Sequence, residues 1–190
     1  MRALLILILV LFAGCATSKP PPEPLTAQDQ QFAIRNQAWS LLYQLMSDEG
    51  DVSKLLLIKK ELPDVDALIK DISKTASDAA KQMEAFSKAD SHLHLKMSSL
   101  PRAEIETRES ISKTRAKELI SKTGEKFELR VLLTQSEALT YGAHLAVVAK
   151  AYETDATRAQ FLGDLSRQMQ DLHQRLINLM HERWQMPASR

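Results

Sequence analysis

The sequence predicts an all-α protein, an elongated up-and-down bundle of four to five main helices behind a short leader and a proline-rich tether. Three observations support this fold class. Five glycines and seven prolines are few for 190 residues, and helix formers such as Ala, Leu, Lys, Glu and Gln are plentiful. Apolar residues recur at alternating spacings of three and four. No alternating apolar and polar run rich in Val, Ile and Thr indicates a strand.

The first fourteen residues have the layout of an export signal. Arg2 supplies one positive charge, the run from Ala3 to Ala13 contains no polar residue, and small residues precede Cys15, the only cysteine. A helix over that apolar run is about 16 Å long, whereas the hydrocarbon core of a bilayer is about 30 Å thick. We therefore expect residues 1–14 to be removed rather than retained as a membrane span.

The residues Phe12, Ala13, Gly14 and Cys15 resemble the lipobox of bacterial lipoproteins, with Phe12 where Leu is usual. The resemblance implies a diacylglycerol on the Cys15 sulfur, a third acyl chain on its amine, and no free thiol in the mature chain. Two or more acyl chains anchor a protein stably, at about 0.8 kcal/mol for each buried methylene. Ala16 stands where an inner-membrane retention signal would place Asp, which implies the periplasmic side of the outer membrane. The alternative is an ordinary secretory leader with an incidental cysteine.

Residues 15–24 are predicted to form the tether, and residues 25–187 the helical bundle domain. Four of the ten tether residues are proline, which favours an extended polyproline II spacer of roughly 30 Å. Without Arg2 the chain has 24 basic and 24 acidic residues, since the whole sequence has 25 and 24. A net charge near zero provides no field that would attract nucleic acid.

Gly50 and Pro63 indicate where the first two predicted helices end. Thr26 is placed to cap the first helix, and Gly50 ends it. A short second helix then runs up to Leu62, ahead of Pro63. The apolar stripe of the first helix consists of Leu25, Phe32, Trp39, Leu42, Leu45 and Met46.

The most regular pattern starts at Val65 and predicts one helix that continues to Leu100, about 54 Å long. Asp64 is placed to cap this helix and Pro101 to stop it. A helix of this length can form one wall of the bundle or half of a coiled coil. Its stripe therefore suggests a partner helix or self-association.

Three further helical segments follow. The segment from Pro101 to Lys122 is the most polar, so we expect it to lie outermost. Gly124 either separates this helix from the next or is tolerated inside one longer helix, and the pattern allows both. Between Glu125 and Tyr152, apolar residues occur on nearly all sides of the predicted helix. This pattern predicts that it is the central helix of the bundle. A turn at 153–155 leads to a last helix that ends near Trp184 and Pro187.

Five polar residues on or beside the predicted core faces could bind a metal ion, namely Asp90, His94, Glu137, His144 and His173. They define the alternative function, a ferritin-like four-helix protein with a metal or redox site. The Glu-x-x-His pairs of di-iron bundles are absent, which argues against it. For Asp90 and His94, the competing interpretation is that the apolar stripe ends near the helix terminus, where both groups reach water or a cap.

No motif indicates covalent, phosphate or zinc chemistry, so we expect neither an enzyme nor a cofactor. The leading hypothesis is a lipid-anchored periplasmic structural or protein-interaction module. Its partners would be the membrane, through the acyl chains on Cys15, and another protein or a second copy, through a helical surface. A third possibility is that the bundle shelters a small apolar ligand such as a lipid in a cavity.

Overall fold

A computed structural model of the chain describes residues 26–57, 63–96, 100–121 and 123–184. In these ranges the chain forms a short 3-10 helix, Val52–Leu57, and five α-helices: α1 (Ala27–Gly50), α2 (Pro63–Ala89), α3 (Arg102–Ser121), α4 (Glu125–Ala151) and α5 (Ala156–Trp184). No strand occurs within them, and the prediction of an all-α bundle is confirmed. The predicted leader, Cys15 and the tether lie outside the described residues.

Four helices form the core of the bundle, and α3 lies outside it. α1 packs against α2 and α4, and α5 packs against the same two helices, so the four form a closed ring. Side-chain pairs show that neighbours in this ring run antiparallel. Near one end Glu49 of α1 meets Gln135 of α4, and at the other end Arg35 approaches Glu153, just after α4. The polar α3 packs mainly against α4, in the outermost position that the sequence predicts.

The core is mainly apolar, with a few buried polar side chains, and is aromatic at one end. Trp39, which is fully buried, packs against Phe86 and Phe161, with ring centroids 6.1 and 6.3 Å away, and the two phenylalanine rings also contact each other. At the α4–α5 contact the helices approach closely, because α4 presents small residues there. The hydroxyl of Ser166 donates to the carbonyl of Ala143 across this contact, at 3.1 Å.

The long helix predicted from Val65 to Leu100 is wrong at its C-terminal end, because α2 stops at Ala89. The Asp90 carboxylate accepts a hydrogen bond from the backbone N–H of His92 at 2.9 Å and closes a turn. Such side-chain bonds offer the backbone an alternative to the helix. The α2 stripe as far as Met83 is buried inside the chain's own bundle, so it presents no free coiled-coil seam.

The structure also decides the points that the pattern left open. Gly124 separates α3 from α4, and its φ of +58° is a conformation that glycine adopts without a Cβ clash. Apolar residues do surround α4, but its outer side is not buried, since Leu133 and Val147 are exposed. In α1, Phe32 of the predicted stripe is exposed as well. Thr26 caps α1 as predicted, in a reciprocal capping box with Asp29.

Candidate interaction surface

A groove of about 320 Å³ runs between α3 and the outer side of α4. Its apolar part consists of Ile111 from α3 and Leu133 from α4, whose side chains are 46% and 40% exposed. Charged groups surround this apolar patch, among them Arg115, Arg130 and Glu137. Exposed apolar groups with a charged rim are the composition of a protein-binding surface.

α3 is held by one buried apolar side chain, Leu119, among its described residues, and by polar pairs to α4 on its exposed surface. Arg108 donates to the Tyr141 hydroxyl at 2.5 Å and lies 5.2 Å from the centre of the same ring. Arg115 pairs with Glu137 farther along the two helices. Exposed pairs of this kind contribute about 0–1 kcal/mol each. α3 is therefore held loosely compared with the helices of the ring.

A buried ionic cluster lies at the end of the bundle where α1 begins. Arg35 is 3% exposed, donates to the carbonyl of His92 at 3.0 Å, and has a guanidinium nitrogen 4.0 Å from the Glu153 carboxylate. The Glu153 side chain, which is fully buried, also accepts from Arg158 at 2.8 Å. Arg158 in turn lies 3.0 Å from Asp90. Two guanidinium groups and two carboxylates thus balance in charge and join α1, the segment after α2 and the α4–α5 turn.

The carboxylates of this cluster stay ionised in the folded chain. Burial by itself would raise the pKa of Glu153, but the hydrogen bonds from Arg158 and the Asp155 amide outweigh it and lower that pKa. The hydrogen bond from His92 lowers the pKa of Asp90, and the charge of Arg158 adds to the effect. A lowered folded-state pKa stabilises the fold at neutral pH, and that stabilisation is lost as pH falls through it. The cluster therefore stabilises the contact between α1, the segment after α2 and the α4–α5 turn.

A second buried polar pair joins α1 to α4 inside the bundle. The side-chain amide of Gln135, which is 1% exposed, donates to the Glu49 carboxylate at 2.6 Å. Burial raises the pKa of Glu49 to about 7, although the hydrogen bond from Gln135 opposes the rise. The cavity beside the pair has about 10 Å³, the space of about one water molecule. A cavity of this size has no room for a lipid.

Asp90 and His94 were expected on the apolar stripe of one long helix, and this expectation is wrong. Both residues follow the end of α2, because the helix stops at Ala89. The Asp90 carboxylate faces Arg158, while His94 is held through its backbone. Its N–H donates to Asn36 at 3.2 Å, and its carbonyl accepts from the buried Ser40 hydroxyl at 2.9 Å. The competing interpretation, that the stripe ends at the helix terminus, describes the two residues correctly.

The other three candidate ligands lie on different parts of the surface. Glu137 pairs with Arg115, His144 is exposed on α4, and the His173 ring lies 3.0 Å from the Ser136 hydroxyl. Within residues 26–57, 63–96, 100–121 and 123–184, no three His, Cys, Asp or Glu side chains come together as a group that could hold a metal ion. The structure does not bring the five candidates into one site.

Sequence reasoning missed the buried Arg35 and the partly buried Glu49 of α1, although the spacing contained a signal. Arg35 stands four residues before Trp39, and Glu49 stands seven residues after Leu42, so both fall on the apolar stripe of that helix. A charged residue in such a stripe indicates either the end of the stripe or a buried partner. Nothing local identifies the partner of Arg35, because Glu153 lies in a turn more than a hundred residues away.

Comparisons of the chain with protein-family models, with curated proteins and with solved structures found no match. In the part of the chain that the structure describes, no helix has both the length and the apolar character needed to cross a bilayer. The leader and Cys15 lie outside that part, so the lipobox stays a prediction from the sequence.

Proposed function

We propose that the chain is a lipid-anchored helical bundle on the periplasmic side of the bacterial outer membrane, and that it acts as a structural or protein-interaction module. The lipobox-like residues up to Cys15 support the anchor, since acyl chains on that sulfur would hold the chain at the membrane. The proline-rich tether supports the placement, because an extended spacer of roughly 30 Å separates a folded domain from the lipid surface.

The observation that carries the interaction role is the groove between α3 and α4. Its apolar residues Ile111 and Leu133 are exposed, while the buried or partly buried groups Arg35, Glu49 and Glu153 are occupied in joining helices. α3 buries Leu119 in the core and otherwise adds an outer, largely exposed surface to the four-helix ring. A helix retained outside the core, with exposed apolar side chains beside charged ones, is suited to contact another protein.

The anchor is tested by metabolic labelling with palmitate in cells that express the full chain. We expect label in the intact protein and none in the Cys15→Ser variant, since the resemblance to a lipobox implies that the sulfur is the first site of acylation. Ser18→Ala, a change in the tether, is the matched control and should leave labelling unchanged. Label that persists after Cys15→Ser would overturn the anchor.

The interaction role is tested by placing a photo-reactive amino acid at Ile111 in the full chain. We expect a covalent protein adduct from this position after irradiation of intact cells. Gln174, on the exposed face of α5, is the control position and should give none. An Ile111 probe that yields only uncross-linked chain would contradict the role assigned to this surface.

A further inference from the structure

The side-chain amide of Gln135 lies inside the bundle with only one of its two ends paired. The residue is 1% exposed, and its Nε2 donates to the Glu49 carboxylate at 2.6 Å. Its Oε1 is buried as well, and no donor among the described residues lies within hydrogen-bond distance of this atom. A buried carbonyl oxygen without a donor destabilises a fold, and such groups are rare in native proteins. We therefore looked for a donor beside Gln135.

Two sources of a donor lie beside this oxygen. One is the carboxyl group of Glu49, which donates through its O–H when it is protonated. The other is a water molecule, because the cavity that Glu49 and Gln135 line has about 10 Å³, the space of about one water. A buried water needs two to four polar partners, whereas most of the side chains that line this cavity are apolar. The lining therefore favours the carboxyl group.

The shapes of the two side chains suit a cyclic pair. Amide and carboxyl groups are both planar, and each has two polar atoms on its terminal carbon. A carboxyl group that accepts from Nε2 with one oxygen can place its other oxygen beside Oε1. When that second oxygen carries a proton, it donates to Oε1, so each of the two groups donates once and accepts once. Both polar atoms of the Gln135 amide then have a partner.

We infer that Glu49 and Gln135 form a proton-binding site, in which the protonated carboxyl group of Glu49 donates to Oε1 of Gln135. The proton comes from the solvent and returns to it when Glu49 ionises. Two hydrogen bonds join α1 to α4 in the protonated state, and one remains in the ionised state. The contact between these two helices is therefore strongest in acid and weakens as Glu49 loses its proton. This inference depends neither on the lipid anchor nor on the groove between α3 and α4.

The surroundings of Glu49 agree with a protonated carboxyl group. Burial is the main reason that its pKa is raised, and the hydrogen bond from Gln135 opposes the rise. The negative charge of Asp48, its neighbour on α1, raises the pKa further, whereas the positive charge of Arg115 on α3 lowers it. The side chains that line the cavity from α2 and α5 carry no charge, namely Ile72, Thr75 and Ala76 from α2 and Met169 and Leu172 from α5. The two charges oppose each other, so burial decides the protonation state.

Carbon-13 NMR of the full chain in detergent micelles, recorded over a series of pH values, tests the site. We expect the Cδ signal of Glu49 to titrate with a midpoint at about pH 7. A carbonyl carbon shifts to higher ppm when its oxygen accepts a hydrogen bond. The Cδ signal of Gln135 should therefore move to lower ppm with the same midpoint, because Oε1 loses its donor as Glu49 ionises. Gln160, whose amide donates to Asp164 at 2.9 Å on the exposed side of α5, is the matched control, and its Cδ signal should show no step at this pH.

Each outcome of this titration decides the inference. A Glu49 midpoint at its ordinary value of 4.5 overturns the proton-binding site. A midpoint at about 7 for Glu49, with a Gln135 signal that stays in place or moves to higher ppm, overturns the cyclic pair and assigns the donor to a water molecule. Signals of both residues that move together in the expected direction support the inference.

The Glu49→Gln variant tests the pairing without an ionisable group. Its new amide N–H can donate to Oε1 of Gln135 at every pH. The Gln135 Cδ signal of this variant should therefore be independent of pH and lie where the unmodified chain has it in acid. A signal at the position that the unmodified chain shows in alkali would contradict the pairing.

Discussion

Replacing Glu49 by Gln is expected to remove most of the pH dependence of the bundle's stability between about pH 5 and pH 8. Glu49 is partly buried between α1 and α4 and accepts a 2.6 Å hydrogen bond from Gln135. The amide has nearly the shape of the carboxyl group and carries no charge at any pH in this range. The substitution therefore removes the ionisation and little else.

The sign and size of the effect follow from the pKa of Glu49. Burial raises it to about 7, from an ordinary value of 4.5. Between these two values the folded chain keeps a proton that the unfolded chain has released. The contribution of this group is therefore fully present below pH 4.5 and is lost as pH rises through about 7. At about 1.4 kcal/mol for each unit of difference, the loss reaches about 3 kcal/mol by pH 8.

Urea unfolding, followed by helical circular dichroism at several pH values, measures this term. The free energy of unfolding of Glu49→Gln relative to the unmodified chain should rise by about 2.5 kcal/mol between pH 5 and pH 8, since part of the loss has already occurred at pH 5. Glu182→Gln, at an exposed position of α5, is the control and should show a difference independent of pH. A free-energy difference for Glu49→Gln that is also independent of pH would show that the fold does not raise the pKa of Glu49. Such a result would refute the prediction.

Two further substitutions test the packing. Arg35→Met should lower the free energy of unfolding by about 3 kcal/mol, because it leaves a buried carboxylate with one guanidinium partner instead of two. Arg175→Met breaks an exposed pair and should cost less than about 1 kcal/mol; equal losses in urea unfolding would contradict the burial argument. Gly142→Val should destabilise by about 1–3 kcal/mol, because a Cβ at this position would lie 2.7 Å from the Met169 sulfur. Gly163→Ala, which faces the mobile end of a lysine, should instead raise the melting temperature, and a loss there would contradict the packing difference.

The helical class and most helix ends could be predicted from the sequence, because they depend on neighbouring residues. Thr26 begins α1 through a capping box with Asp29 that acts within one turn, and Gly50 is the last residue of the helix. The three-four spacing of α5 buries the apolar side as far as Met180. Such signals need no knowledge of what each helix packs against.

The end of α2 could not be predicted in the same way. Apolar spacing continues past Ala89 up to Leu100, although the described residues 90–96 are not helical. Asp90 closes the turn, and the following residues are held against α1 by Arg35 and Ser40. Apolar spacing in a sequence indicates which side chains are buried. A loop that packs against the core also buries apolar side chains, so the spacing can continue past the end of a helix. For this reason Asp90 and His94 were assigned to the wrong element.

The sequence by itself determined the helical class and the polar character of α3, since each depends on residue types and their spacing along the chain. Only the tertiary structure decided that Arg35 meets Glu153, that Glu49 meets Gln135, and that α3 leaves a groove beside α4. These contacts join residues far apart in the chain. Their energies depend on burial and distance, which the folded arrangement alone sets.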